Sequence, residues 1–273
     1  MGKEKTKRPR SECAGCAFNL ERLGIEVDKW DYVVALAGNP NTGKSTVFNH
    51  LTGLKQHTGN WPGKTVTRAE GGFTWNGKTF KLVDLPGTYS LLSASVDEEV
   101  ARDFLLFGNP DATIVVVDAT VLERNLNLVF QIMEITDRVV VCLNLVDEAK
   151  RKGMQVDHRR LSKELGIPVV PTVARQGVGM SQLIDTVYRV ITGDIKTKPR
   201  RLEINPALQQ AIDELVPKIK QVFPDVHNAR WLAMRLLDGD IKVQKALETG
   251  EWNVFLGESV FEHEKARRLG EPS

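Results

Sequence analysis

The chain has 273 residues, enough for one large domain or two modest ones, and at 41% hydrophobic and 26% charged residues it reads as globular. A net charge of +2 is too small for a dedicated nucleic-acid surface, and three cysteines are too few for a disulfide scaffold, which sets the expectation of a reducing cytosol. No apolar run approaches the roughly 18 residues that argue for a membrane helix, and no apolar leader follows the polar, basic first ten residues.

Residues 1–30 read as an N-terminal extension with a basic, solvated start at Lys3, Lys5, Lys7, Arg8 and Arg10. Cys13-Ala14-Gly15-Cys16 is a C-x-x-C pair without a second pair to complete a structural zinc site. Free thiols and a metal clip completed by another protomer both remain open. From Asp31 to about Asp194 strand and helix patterns alternate, so one α/β domain is expected over 31–194 with a mostly parallel sheet.

The first strand, Val33 to Ala37, runs into Gly38-Asn39-Pro40-Asn41-Thr42-Gly43-Lys44-Ser45 and then a helix-like stretch from Thr46. This is G-x-x-x-x-G-K-[ST] in its strand–loop–helix context. Two glycines let the backbone N–H groups turn inward toward phosphates, at a helix N-terminus. Lys44 reaches the β- and γ-phosphates, and Ser45 offers a hydroxyl to Mg²⁺. Gly71 to Lys78 reads as strands turning at Asn76-Gly77, which makes one edge of the sheet antiparallel.

Asp84-Leu85-Pro86-Gly87 ends the strand Phe80 to Val83. A carboxylate there suits the Mg²⁺ shell, and Gly87 offers a backbone N–H to the γ-phosphate. Thr113 to Val117 and Val139 to Leu143 are continuous apolar runs, as buried parallel strands should be. Asn144-Leu145-Val146-Asp147 closes the second of them, and its Asp accepts two hydrogen bonds from guanine, whereas adenine lacks both donors. Val173-Ala174-Arg175 follows Val169 to Thr172, and the Ala174 backbone is expected to reach the base. All four pieces fall at strand carboxyl ends, where open parallel sheets bind ligands. Cys142 reads as a small core hydrophobe.

After Thr197-Lys198-Pro199-Arg200 the pattern changes. Asn205-Pro206 is an N-cap followed by proline at the first helical position. Leu208, Ile212, Leu215, Ile219 and Val222 recur at helical spacing, and Ala229 to Leu237 and Ile241 to Leu247 read as two more helices. Residues 195–273 are therefore expected to be a small all-helical subdomain burying Trp231, Trp252 and Phe255.

The stretch from Gly38 to Gly87 resembles the N-terminal cytosolic GTPase domain of the FeoB ferrous-iron transporter family. The resemblance rests on the phosphate loop, on Gly59-Asn60-Trp61-Pro62-Gly63-Lys64-Thr65-Val66, and on Asp84 to Leu91. Asp97 to Asp103 and Arg230 to Leu237 resemble the family as well, and the match covers roughly 32–260. It implies a Ras-like P-loop GTPase fold of α/β class, with a mostly parallel sheet flanked by helices. The helical subdomain would slow GDP release and lead into transmembrane helices absent from this chain. Gly63 and Thr65 would belong to a first switch, about Gln56 to Thr67, with Thr65 joining Ser45 and Asp84 around Mg²⁺ only when a γ-phosphate is present. Gly87 to Val96 would be the second switch. The cofactors implied are GTP or GDP, Mg²⁺ and an activating K⁺ held by Asn41.

The nucleotide contacts implied are Gly38 to Thr46, Gly63, Thr65, Asp84 to Gly87, Asn144, Leu145, Asp147, Val173 and Ala174. Asn41, Lys44, Thr65 and Gly87 would act in hydrolysis. The partners implied are the protein's own membrane iron-transport region, small accessory Feo proteins and a second copy, at the cytoplasmic face of the prokaryotic cell membrane; no nucleic acid is expected. Several positions depart from the family pattern. Thr88 stands where Ras-like enzymes carry a water-orienting Gln, which implies slow turnover. Leu145 replaces the Lys of N-K-x-D, and Val173 replaces a usual Ser. Asn41 also has a plainer reading, as a residue that tolerates a tight turn. A soluble GTPase of ribosome assembly and a nucleotide-sensing switch without turnover are the competing readings.

Overall fold

The computed structural model describes residues 19–26, 29–53, 56–92, 95–201, 203–224, 226 and 228–252. Cys13, Cys16, Phe255 and the end of the chain lie outside the described residues, as do residues 93 and 94 of the expected second switch. The chain parts into two compact units, the break falling between residues 201 and 202.

The first unit is built on a seven-stranded sheet. Its strands are β1 (Tyr32–Gly38), β2 (Gln56–Asn60), β3 (Thr67–Trp75), β4 (Lys78–Asp84), β5 (Ala112–Asp118), β6 (Val139–Asn144) and β7 (Val169–Pro171), in the spatial order β2-β3-β4-β1-β5-β6-β7. β4-β1-β5-β6-β7 pair in parallel, while β2-β3-β4 form an antiparallel edge. The β3–β4 hairpin turns at Asn76 (φ 47°) and Gly77 (φ 71°), the two positive φ values of a type I′ turn. β2 is the polar sequence Gln-His-Thr-Gly-Asn at the sheet edge, and its polarity discourages further strand addition.

Helices α1 (Lys44–Thr52), α2 (Val96–Phe107), α3 (Leu122–Ile135), α4 (Val146–Arg151), α5 (His158–Leu165) and α6 (Met180–Thr192) alternate with the strands. Val34, Leu36, Ile114, Val116 and Cys142 share a core with Val47, Phe48 and Leu51 of α1 and Leu183 and Val187 of α6. The alternate residues Val33, Ala35, Val115 and Val117 are equally buried. Burial on both faces is why β1, β5 and β6 read as unbroken apolar runs. Each fully buried Phe or Leu contributes on the order of 1.5–3 kcal/mol of transfer free energy.

Residues 19–26 of the segment read as an extension belong to this unit. Leu20 and Ile25 are fully buried, and Leu23 nearly so. Trp30 lies against Gly72 of β3 so closely that a β-carbon at Gly72 would fall 2.0 Å from its ring. Asp31 receives Thr79 N–H at 2.8 Å, the Thr79 hydroxyl at 2.9 Å and Lys78 Nζ at 2.9 Å.

The second unit comprises α7 (Pro206–Val222), α8 (Ala229–Leu237) and α9 (Ile241–Glu248). Asn205 caps α7 by accepting Ala207 N–H at 2.8 Å, as expected of Asn before Pro. Ile212, Ile219, Trp231 and Trp252 are buried. Leu208 and Val222, part of the same predicted stripe, stand exposed: α8 has nine residues against seventeen in α7 and cannot cover its ends. Arg235 pairs with Asp238 at 2.7 Å and Asp240 at 3.2 Å, bracing the break between α8 and α9.

Candidate functional site

The loop between β1 and α1 is held in shape from several sides. Gly38 has no room for a side chain, since a β-carbon would meet Val116 O at 2.7 Å. Gly43 combines φ +82° with a would-be β-carbon 2.4 Å from Asn144 Nδ2. The Thr42 hydroxyl closes the loop by donating to Asn39 O at 2.9 Å. Asn39 is buried with neither side-chain polar atom hydrogen-bonded, Pro40 is exposed, and Asn41 is exposed with φ 65°. The tight-turn account of Asn41 therefore has a structural counterpart, because Asn tolerates that left-handed conformation. Ser45 and Thr46 open α1 on the exposed side.

Lys44 Nζ donates to the Asp84 carboxylate, and both side chains are largely buried. Burial pushes the Asp84 carboxyl above the usual carboxylate range; the Lys44 charge and hydrogen bond offset this only in part. The strand end carrying Asp84 is tied to β1, with Leu85 N–H on Leu36 O at 2.9 Å and Thr88 N–H on Gly38 O at 3.3 Å. Pro86 lies between them. A β-carbon at Gly87 would sit 3.6 Å from Pro40, ordinary contact, so the fold itself does not demand glycine there. Ser90 and Leu91 are held by Gln131 of α3, whose Oε1 accepts Leu91 N–H at 2.6 Å. Gln131 carries no motif that would have flagged it.

Asn144 is the junction of the site. It is 1% exposed. Its Nδ2 donates to Thr42 O at 3.0 Å, and its Oδ1 accepts Ala174 N–H at 3.0 Å and the Thr172 hydroxyl at 3.3 Å. One side chain thus joins the phosphate loop, β6 and the 173–176 turn. The sequence reading gave the Ala174 backbone to the base; the structure commits its N–H to Asn144 instead. Val173 is buried and bridges to Val178, with Val173 N–H on Val178 O at 3.0 Å. Leu145 sits at φ 62°, a left-handed conformation that costs a non-glycine residue roughly 1–2 kcal/mol. It places Asp147 in the first turn of α4. Asp147 Oδ2 accepts from Arg175 Nη2 at 2.7 Å, while Oδ1 is buried without a hydrogen-bond partner. In the sequence Arg175 is only the end of the Val173-Ala174-Arg175 segment and is given no role, since nothing in the motif pairs it with Asp147.

The expected first switch is β2 followed by a turn, closed by Trp61 N–H to Val66 O and Lys64 N–H to Trp61 O, both at 3.0 Å. Gly63 (φ 68°) lies in that turn and Thr65 is exposed on it. Trp61, whose exposure the sequence left open, is 3% exposed and packs edge-on against Phe104 at 5.5 Å. Lys64 reaches Glu99 of α2 at 3.3 Å. Cys142 is fully buried beside the Thr172 hydroxyl, and burial pushes its thiol up to about 12.

Comparison with known proteins identifies the family and the fold. Residues 32–187 match the family Ferrous iron transport protein B, and residues 205–269 match the FeoB cytosolic helical domain. The Fe(2+) transport protein A/Fe(2+) transporter FeoB fusion protein of Porphyromonas gingivalis is 40% identical over 248 residues, 89% of this chain and 28% of that protein. The Fe(2+) transporter FeoB of Salmonella typhimurium is 42% identical over 212 residues, 76% of this chain and 27% of its own length. The crystal structure of the cytosolic domain of the T. maritima FeoB iron transporter in GDP form I superimposes with a TM-score of 0.71 at 36% identity, covering 89% of this chain and 86% of that one. The chain spans little more than a quarter of the length of these curated relatives. It belongs to the FeoB ferrous iron transport protein family.

Proposed function

We propose that this chain binds GTP and hydrolyses it slowly, as the cytosolic part of a membrane ferrous-iron transporter. The observation that carries the reading is the Asn144 junction, which ties the phosphate loop to the helix bearing Asp147 and so sets the distance from phosphates to base. Asp147 offers a buried acceptor, Oδ1, to the N1–H and N2–H₂ donors of guanine. Arg175 on Oδ2 holds the carboxylate in place. Base selection in this reading falls to Asp147, without Ala174.

The loop N–H groups and Lys44 bind the phosphates, and Gly87 leaves its N–H clear for the γ-phosphate. Ser45, Thr65 and Asp84 form an all-oxygen donor set of the kind Mg²⁺ prefers. When bound, that ion neutralises charge on the β- and γ-oxygens. Thr88 is buried with its N–H on Gly38 O and carries a short hydroxyl where a water-orienting amide would stand, which fits slow turnover. Asn41 would hold K⁺, which would add a second positive charge beside the phosphates to that of Lys44.

In this reading the first unit is the GTPase domain, carried past the expected boundary at 194 to residue 201, and the second, from residue 202, is the helical subdomain that restrains GDP release. The membrane region, the small accessory proteins and a second copy are its partners, at the cytoplasmic face of the membrane. GTP turnover measured in K⁺ and in Na⁺, with Asn41→Ala as the control, tests the mechanism. Faster turnover in K⁺ that is lost in Asn41→Ala is expected; equal rates in both salts would sink the K⁺ assignment. In the full-length transporter, Fe²⁺ uptake into vesicles that survives Lys44→Ala would refute the link to transport.

A further inference from the structure

Residues 19–26 precede the family match, which begins at residue 32, and the proposed function does not use them. They form a helical turn that ends at Gly24 (φ 78°). Ile25 N–H donates to Leu20 O and Gly24 N–H to Glu21 O, both at 2.8 Å. These are the two bonds of a Schellman cap, and Leu20 and Ile25 are the apolar pair that accompanies it. So short a helical turn is not stable alone and takes its shape from what it packs on.

It packs on the strands next to the first switch. Arg68 of β3 donates Nη1 to Leu23 O at 3.0 Å, and Lys81 of β4 donates Nζ to Glu26 O at 3.0 Å. Glu70 lies between the two cations, 2.6 Å from Arg68 Nε and 2.5 Å from Lys81 Nζ. These side chains are largely buried, so each charge depends on the others. Arg68 also faces the switch: it pairs with Gly59 in register, and its guanidinium lies 5.6 Å from the centre of the Trp61 ring. Gly24 is the closest approach, since a β-carbon there would fall 2.2 Å from Arg68 Nη1 and 3.2 Å from Pro62 Cγ.

We propose that residues 19–26 clamp the Trp61–Val66 turn through Arg68, a positioning residue, and so favour the arrangement in which Thr65 meets a γ-phosphate. This rests on the reading of Thr65 as the triphosphate-sensing threonine. Gly24→Ala pushes on the Arg68 guanidinium and unseats the clamp without removing a charge or a nucleotide contact. Arg68→Ala removes the link itself, and Arg68→Lys keeps the charge without the fork.

The test measures the affinity of the full chain for GDP and for a non-hydrolysable GTP analogue, using fluorescent nucleotides. The clamp predicts that Gly24→Ala and Arg68→Ala weaken the triphosphate analogue by about tenfold, the equivalent of one charge-assisted hydrogen bond, and leave GDP within about twofold. Arg68→Lys recovers part of the loss. If Arg68→Ala abolishes GDP binding as well, the fold has suffered and Gly24→Ala decides. Parallel changes in both affinities, or none, in Gly24→Ala overturn the clamp. Thr65→Ala is the control: if it leaves triphosphate affinity unchanged, the Thr65 reading falls and the clamp with it. If it weakens the analogue while Gly24→Ala does not, the clamp alone fails.

Discussion

Replacing Asn144 by Ala should loosen the whole nucleotide unit. The side chain is 1% exposed and makes three hydrogen bonds. The Thr172 hydroxyl keeps contacts to Leu143 O and Cys142 Sγ. Thr42 O and Ala174 N–H are left buried without Asn144, and each such group costs about 1–3 kcal/mol, so a loss near 3 kcal/mol is expected. Cys142, two residues back on β6 and fully buried, is the reporter. Its thiol meets alkylating reagent only when the unit opens, and the labelling rate follows the open population when reclosing is fast. Labelling of the Cys142 peptide with iodoacetamide, followed by mass spectrometry, should accelerate on the order of 100-fold in Asn144→Ala. Asn144→Asp keeps the acceptor for Ala174 N–H but sets a second acceptor against Thr42 O, so it should also open the unit. Labelling within about threefold of the parent in both variants would refute the claim that this junction holds the unit together.

Further expectations concern the base site and two carboxylates that titrate in opposite directions. Asp147→Asn exchanges an acceptor for a donor at the base position, so GTP affinity should fall by about 100-fold or more while xanthosine triphosphate gains; unchanged GTP affinity would remove Asp147 from base recognition. The Asp31 carboxyl lies below its usual range, chiefly because Thr79 N–H donates to it, with Lys78 adding to the effect. A lowered folded value means the contribution is present above the unfolded value and is lost as pH falls through the folded one, below about 4. Acid unfolding of Asp31→Asn should therefore depend less steeply on pH in that window. Asp84 shifts the other way through burial, so the folded state favours its protonated form, and stability from this group falls as pH rises through the raised value. In the nucleotide-free protein, Asp84→Asn should therefore flatten the pH dependence of stability just above the ordinary aspartate range, which denaturant unfolding at a series of pH values would check. The raised Cys142 thiol leaves the native protein unreactive toward thiol reagents even near pH 9, which mass spectrometry of the intact fold would check.

Local chemistry made much of this protein legible from its residues. The octet from Gly38 to Ser45, the Asn76-Gly77 turn and the Asn205-Pro206 cap each depend on a few neighbouring dihedrals, so their residue types report them directly. Unbroken apolar runs marked β1, β5 and β6 because burial on both faces leaves no polar alternation. What the tertiary structure alone decided is who satisfies whom. Asn144 reaches a carbonyl 102 positions away and takes the Ala174 N–H that looked available to the base. Arg175 closes on Asp147, Phe104 covers Trp61, and Gln56–Asn60, with no strand-like composition, pairs with β3. Residues 19–26 read as part of an N-terminal extension, yet Leu20 and Ile25 find a complete covering in the fold. The reason is common to all of these: a buried polar or apolar group is satisfied by whatever the folded chain brings beside it, and a linear pattern records the group but not its partner.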